Sequence, residues 1–295
     1  MTWTAPSSNG GSAITGYVVT PFIGSVAQSP VSAGPSATSA TVTGLTNGTA
    51  YSFTVSATSA IGTGQASAQS NVVTPTAVAA PAFVQSATAH GLNKTTLTVT
   101  PTNAVTAGNR LIVEVGLWNY TDPTATSVTD SAGNVYTEVL HFVASDGTEQ
   151  SIWTAPITAG GGTKPVVTAR SSVTADVGVV VLEYSGLSSA AGAAAVDGSA
   201  SRSGTTSSAA SVSSGATAAA TASGELALGF YADSGFGTTP TAASGWGMRA
   251  RIAGASDMDM LVEDQSVAAG GTPNATVSTA ANTVWLMSTV VFKHA

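Results

Sequence analysis

Apolar and polar residues alternate along most of this 295-residue chain. Such alternation is the period-two signature of half-buried strands. It predicts strands at "AITGYVVTPF" (13–22), "SATVTGL" (39–45) and "AYSFTVSAT" (50–58). Asn9-Gly10, Gly10-Gly11 and Asn47-Gly48 mark turns, because Gly and Asn tolerate positive φ. "VVTPTAVAAPAF" (72–83) has no periodicity and contains Pro and Ala, which reads as a linker centred on residues 76–82.

Beyond residue 83 strands follow one another almost to the end. They are expected at "TTLTVTP" (95–101), "NRLIVEVGLWNY" (109–120), "NVYTEVLHFVAS" (134–145), "EQSIWTAP" (149–156), "KPVVTARS" (164–171) and "DVGVVVLEYSGL" (176–187). Five more follow at "GELALGFYAD" (224–233), "GWGMRARIAG" (245–254), "MDMLVEDQSV" (258–267), "NATVSTA" (274–280) and "NTVWLMSTVVFK" (282–293). The Ala/Ser/Gly-rich stretch 188–223 is assigned to short strands and loops, since its Gly and Ser disfavour helix. No repeat at a fixed period is apparent, which argues against a propeller or solenoid. So many antiparallel strands fit an all-β fold whose larger part, 83–295, is a two-sheet jelly-roll-like sandwich.

Charge sharpens the division. Residues 1–93 contain no Asp, Glu, Lys or Arg, and Lys94 is the first charged side chain. Two modules are therefore expected, 1–75 and 83–295. Charged residues make up only 8% of the chain, yet no run of eighteen apolar residues exists to form a spanning helix. The net charge is −7, with eight scattered Lys and Arg. That excludes a counterion-displacing surface for nucleic acid, and membrane insertion is not expected. Cysteine is absent, which removes disulfides, thiolate nucleophiles and Cys-based zinc sites. The first residues do not read as a signal peptide, so export would need a longer precursor.

The first module resembles a fibronectin type III domain. The residues that carry the likeness are "TWTAP" with Trp3, "GGSAITGYVV" with Tyr17, "ATVTGLTNGTAYSFTVSATSAIGTG" with Leu45 and Tyr51, and "SNVVTP". The resemblance makes Trp3 the core tryptophan of the second strand and Tyr51 the corner tyrosine. It implies a non-catalytic spacer or adhesive unit of secreted and surface proteins. It also implies an incomplete module, because only Met1 and Thr2 precede Trp3. Losing two covering strands would cost on the order of 10 kcal/mol at about 25 cal/mol per Å², comparable with a whole domain's stability. Two explanations stand: a fragment of a longer protein, or a strand donated by a partner, with self-association through this module as one form of it. The second module looks similar to jelly-roll domains of uncharacterised bacterial surface proteins, through "VTDSAGNVYT", "LEYSGL", "VEDQSVAAGG" and "WLMSTVVFK".

Candidate chemistry is sparse. His90, His141 and His294 are the histidines, and no Gly-x-Ser-x-Gly elbow accompanies them. Glu114, Glu183 and Glu263 lie in apolar strand runs. They read as structural ion pairs with Arg249 or Arg251, or as the carboxylates of a glycoside hydrolase. Asp257 with Asp259, and Asp146 with Glu149, offer oxygens for calcium, but solvated turns are the default. "AGGGTK" (159–164) lacks Walker spacing. The sequons at Asn47, Asn93, Asn119 and Asn274 arise readily in a Thr/Ser-rich chain. Aromatics near strand ends are the strongest binding signal. "LWNYTD" (117–122) carries Trp118 and Tyr120 beside Asn119 and Asp122, while Gly-rich loops hold Phe236 and Trp246. Trp153 and Trp285 read as core.

The expected protein is a non-enzymatic, extracellular or cell-surface attachment protein. Its jelly roll would bind a polysaccharide or a surface protein through Trp118, Tyr120, Phe236 and Trp246, with the first module as spacer. No catalytic residue, metal or cofactor is assigned. The alternatives are a structural subunit of a filament, surface layer or phage tail, and a glycoside hydrolase or its accessory module.

Overall fold

The computed structural model describes all residues except 77–78, 236–238 and 254–257. Its contacts divide the chain into two compact units, Met1–Ala77 and Val78–Ala295. Both are built of strands.

The N-terminal unit has one developed sheet. It comprises β1 (Ile14–Ile23), β2 (Val26–Ala27), β3 (Val31–Ala33), β4 (Ser52–Ser59) and β5 (Gly62–Thr63). Its order is β2-β1-β4-β5, with β3 also on β1. Alternation along β1 and β4 sends Tyr17, Val19, Phe53 and Val55 into one core with Tyr51, against which Trp3, Ala40, Val42 and Leu45 pack. Tyr51 turns its hydroxyl back to accept from the Thr46 N–H at 3.1 Å. The facing layer is slight. Thr2 bridges Ser39, and Trp3 N donates to Thr38 O and Ala40 N to Met1 O. The strand expected at 39–45 forms no further ladder, because its described backbone partner is only this short segment. Its apolar side chains still face the core.

The larger unit contains β6 (Ala82–Val99), β7 (Arg110–Trp118), β8 (Ala125–Asp130), β9 (Thr137–Val143), β10 (Glu149–Pro156) and β11 (Val167–Ser185). A 3-10 turn at Gly192–Ala195 leads to β12 (Val196–Thr206), β13 (Ala210–Ser213), β14 (Glu225–Asp233) and β15 (Thr241–Ala242). The chain closes with β16 (Gly247–Ile252), β17 (Asp259–Val267), β18 (Thr276–Thr279) and β19 (Thr283–Phe292). The first six strands form one sheet in the order β6-β11-β7-β10-β9, with β8 on the early half of β11. The rest form a sheet β12-β19-β14-β17-β16 and a small sheet β13-β18-β15. The all-β, sandwich-type architecture expected from the alternation is therefore present.

The two sets of strands repeat one topology. β6 corresponds to β12 with β13, β7 to β14, β8 to β15, β9 to β16, β10 to β17, and β11 to β18 with β19. The register repeats as well. β10 slips against β9 between Ile152 and Trp153, skipping Val139, and β17 slips against β16 so as to skip Arg249. The same bulge between the same two strands of each half makes the two halves a structural repeat. The sequence shows no repeat at a fixed period; the repeat in strand order is a whole half of the larger unit, longer than any solenoid or propeller period.

Each half keeps its own interior. In the first half Leu111, Val113, Val115, Leu117, Val177, Val179 and Val181 pack against Val99, Val128 and Val167. In the second, Tyr231, Leu261 and Met287 pack against Val212 and Val277. The other faces of the two large sheets meet in a shared core that includes Ile112, Ile152, Leu182, Leu228, Phe230, Met260 and Val290. β6 lies against β16, and β9 against β12. The docking is specific. Gly116 and Gly178 are cross-strand partners, and a Cβ on either would overlap the sulfur of Met258 or Met260. Two glycines thus open a hollow that two methionines fill.

Candidate functional site

The end of β7 carries the site. Asp176 of β11 pairs with Trp118 of β7, while β6 lies along the other edge of β11. Three strands separated in sequence therefore bring Leu92, Asn93, Trp118, Asn119, Tyr120, Thr174, Ala175 and Asp176 around one shallow pocket of about 310 Å³. Trp118 is half-buried and rests on the shared core. Tyr120 stands edge-on to it, with ring centroids 4.9 Å apart and planes at 63°. Tyr120 is 90% exposed. An exposed ring held in place by a second, anchored ring is a surface for an apolar ligand face.

Hydrogen bonds fix the loop that presents Tyr120. Asn119 donates through Nδ2 to Thr174 O at 2.6 Å, and its Oδ1 accepts from Thr121 N at 2.6 Å. Asp176 is only 9% exposed and its Oδ1 accepts from Asn93 N at 3.1 Å. That bond belongs to a turn in which Asn93 takes a left-handed φ of 56°. Oδ2 of Asp176 has no protein donor among the described residues, so this acceptor is available beside the ring.

The other aromatics expected to bind are placed elsewhere. Trp246 packs half-buried against the interior of the second half, and its amide closes a turn onto Ala243 O at 3.3 Å. It does not line the pocket at Trp118 and Tyr120, so the structure does not bring these aromatics together there. Phe236 lies outside the described residues. Trp153 packs on the first interior and donates to Ser151 Oγ at 3.0 Å, and Trp285 packs on the second.

The three interior glutamates share no site. Glu114 is fully buried on the face toward the second half. It accepts from Gln150 Nε2 at 2.7 Å, and Gln150 Oε1 accepts from Ser288 Oγ at 2.7 Å. Burial raises the Glu114 pKa well above the usual carboxylate range, against the opposing effect of the Gln150 bond. Glu183 accepts from Asn109 Nδ2 and Gln85 Nε2, each at 2.6 Å, and from Thr106 N at 2.8 Å. Glu263 accepts from Thr276 N at 3.1 Å, and burial pushes it up to about 7. These carboxylates are held by amides and not, as expected, by Arg249 or Arg251. Arg249 instead donates to Asp264 Oδ2 at 2.8 Å, which also accepts from Tyr184 at 2.7 Å.

The remaining candidates are occupied by local bonding. His141 lies 3.6 Å from Glu149, while Ser151 opposite it is buried under Trp153. Asp146 accepts from Thr148 and Ser234, and Glu149 from Ala125 N at 2.9 Å. Asp257 lies outside the described residues, and among those described no cluster of three or more metal-ligating side chains occurs.

Residues 1–73 match the family model for the fibronectin type III domain. The N-terminal unit is fibronectin type III-like. Its Tyr51–Thr46 bond and its core of Trp3, Tyr17 and Leu45 are the residues on which the resemblance was drawn. Among solved structures the FN1-FN3 domains of chicken CNTN1 are similar at 13% identity, over 97% of this chain and 86% of that one, with a TM-score of 0.22. No curated protein matches the chain. Fibronectin type III domains are commonly extracellular, and no helix among the described residues is long and apolar enough to cross a membrane.

Proposed function

We propose that the chain is an extracellular or cell-surface attachment protein whose larger unit binds polysaccharide at the Trp118–Tyr120 pocket. The fibronectin type III-like unit serves as a spacer. The observation that carries this reading is the 90% exposed Tyr120 ring fixed against Trp118, with the Asp176 carboxylate beside it. A sugar offers an apolar ring face and a rim of hydroxyls. Tyr120 would take the face, and Asp176 Oδ2 and the side-chain amide of Asn93 would take hydroxyls. Such pockets need no reaction chemistry, and a non-enzymatic role fits a family of modules that act as spacers and adhesive units.

Affinity electrophoresis of the full chain against a panel of neutral and acidic polysaccharides tests it. Retardation by at least one glycan is expected, and Tyr120→Ala should weaken it by about tenfold, equivalent to about 1.4 kcal/mol. Trp246→Ala should leave the affinity unchanged. Failure to bind any glycan, or binding indifferent to Tyr120→Ala and Trp118→Ala, would sink the proposal.

A further inference from the structure

The pocket at Trp118 and Tyr120 is also distinctive in its charge. Its lining holds one carboxylate, Asp176, and no Lys, Arg or His. Lys94, the cation nearest in sequence, lays its stem over Gly91 and does not line the pocket. The ion pairs among the described residues are His141–Glu149 and Arg249–Asp264, so no cation of the chain pairs with Asp176 there. The carboxylate is nonetheless only 9% exposed. Its Oδ1 is held by the Asn93 N–H at 3.1 Å, which leaves Oδ2 as the acceptor that a ligand meets. On the same pocket the exposed Tyr120 keeps a ring face open.

These features select among sugars. A neutral or acidic sugar seated on Tyr120 would strip the remaining water from Asp176 and leave its charge uncompensated, even where a hydroxyl donates to it, and a buried unpaired charge is costly. A protonated amine cancels that charge and donates a charge-assisted hydrogen bond, roughly twice as strong as a neutral one. An aromatic face attracts the same cation. The net charge of −7 adds a long-range field that draws in cationic chains and repels acidic ones. Resting on the glycan-binding reading above, we infer that the polysaccharide held here carries free amino groups: an unacetylated hexosamine whose ammonium sits on Asp176 Oδ2 while its ring lies on Tyr120. An N-acetylated unit has the same ring but an amide in place of the charge, so it satisfies Tyr120 and fails Asp176.

The test is isothermal titration calorimetry of the full chain with two β-1,4-linked hexasaccharides, one of glucosamine with its amines protonated and one of N-acetylglucosamine. The glucosamine hexamer should bind about tenfold more tightly or better. Asp176→Asn, whose Oδ1 can still accept from the Asn93 N–H, should erase that preference. Glu138→Gln, which removes the same charge from an exposed position on β9, should leave it intact. Tyr120→Ala should weaken both ligands alike. A circular dichroism spectrum and thermal midpoint like those of the parent show that Asp176→Asn is folded. If it unfolds, a carbon-13 shift of the Asp176 carboxyl in the parent chain, seen with the glucosamine hexamer and not with the acetylated one, replaces it. Equal binding of the two hexamers, or a preference for the acetylated one, overturns the inference and leaves the glycan reading standing. So does a preference that survives Asp176→Asn or that Glu138→Gln reduces as much. If neither hexamer binds, the inference falls, and if the polysaccharide panel fails as well, the glycan reading falls with it.

Discussion

The two halves of the larger unit share a strand order and a bulge, yet fill the same positions with different residues. The first half has an interior of Val and Leu on β7 and β11. The second uses Tyr231, Met287, Trp246 and Trp285. Glu114 stands where Phe230 stands, Trp153 where Glu263 stands, and Gly178 where Leu286 stands, as the matched ladders show. Backbone pairing therefore persists when side-chain volume and polarity do not. A sandwich constrains which face a residue points to more tightly than which residue it is. The differences compensate across the shared core, where the space left by Gly178 is taken up by Met260 of the opposite half.

That compensation can be broken. Gly178→Leu gives the first half the residue type of the second. It should clash with Met260 and lower stability by about 3 kcal/mol or more, read as a fall in the urea midpoint. If Gly178→Leu is tolerated, the Gly–Met docking is not what joins the halves.

The polar mismatch predicts a pH effect. Glu263 is raised from 4.5 to about 7 in the folded chain, so the folded state holds a proton that the unfolded state has released. Its contribution to stability is full below pH 4.5 and is lost as pH rises to about 7. Two and a half pH units of linkage correspond to on the order of 3 kcal/mol. Glu263→Gln should remove that slope in denaturation measured from pH 4 to 8. A slope unchanged in the variant would assign it to other groups, Glu114 first among them.

Arg110 sharpens the comparison next, because Leu226 holds its place in the second half. The Arg110 guanidinium is buried and donates to the carbonyls of Ser188 and Ala190 and to Thr154 Oγ1, and burial lowers its pKa to about 10. Arg110→Met should cost about 2 kcal/mol through orphaned carbonyls, measured by thermal unfolding. The smallest effect belongs to Tyr120→Ala. With its ring exposed, its loss should change stability by less than about 0.5 kcal/mol while glycan retardation falls, a separation that unfolding and electrophoresis on one sample reveal.

Much of the strand pattern was legible because strict alternation survives where one face is buried. "NRLIVEVGLW", "EQSIWTAP" and "WLMSTVVF" all became strands near their expected bounds. The first half of β6, "AFVQSATAHGLN", was hidden, since both of its faces are partly exposed and its small residues blur the period. β8 was hidden by its polar residues. β11 read as two strands because its middle, "SSVTAD", is polar where the sheet bends from β8 to β7. The structural repeat was illegible because register, and not residue type, is what repeats. At the pocket, Trp118 and Tyr120 were visible as neighbours in sequence. Asp176 and Asn93 were not, since only the β6-β11-β7 ladder brings them there. That Trp246 packs half-buried was not legible either, because a Gly-rich turn can deliver an aromatic inward as readily as outward.

The segment gripped by Arg110 is also the link between the halves. Gly186 and Ser188 bond to Ala295 and Lys293, and Lys293 bonds onward to Ala195, so the link is stitched to the last strand as well as to β7. Two sibling sandwiches on a loose tether could exchange partners between molecules. Each first half would then clasp the second half of a neighbour, and at high concentration the chains would become intertwined pairs. The stitched link opposes that reach, because a swapped link would have to give up these bonds. Arg110→Met, which removes the grip of the guanidinium on the Ser188 and Ala190 carbonyls, is expected to raise the yield of swapped dimers on refolding at high concentration, measured by size-exclusion chromatography.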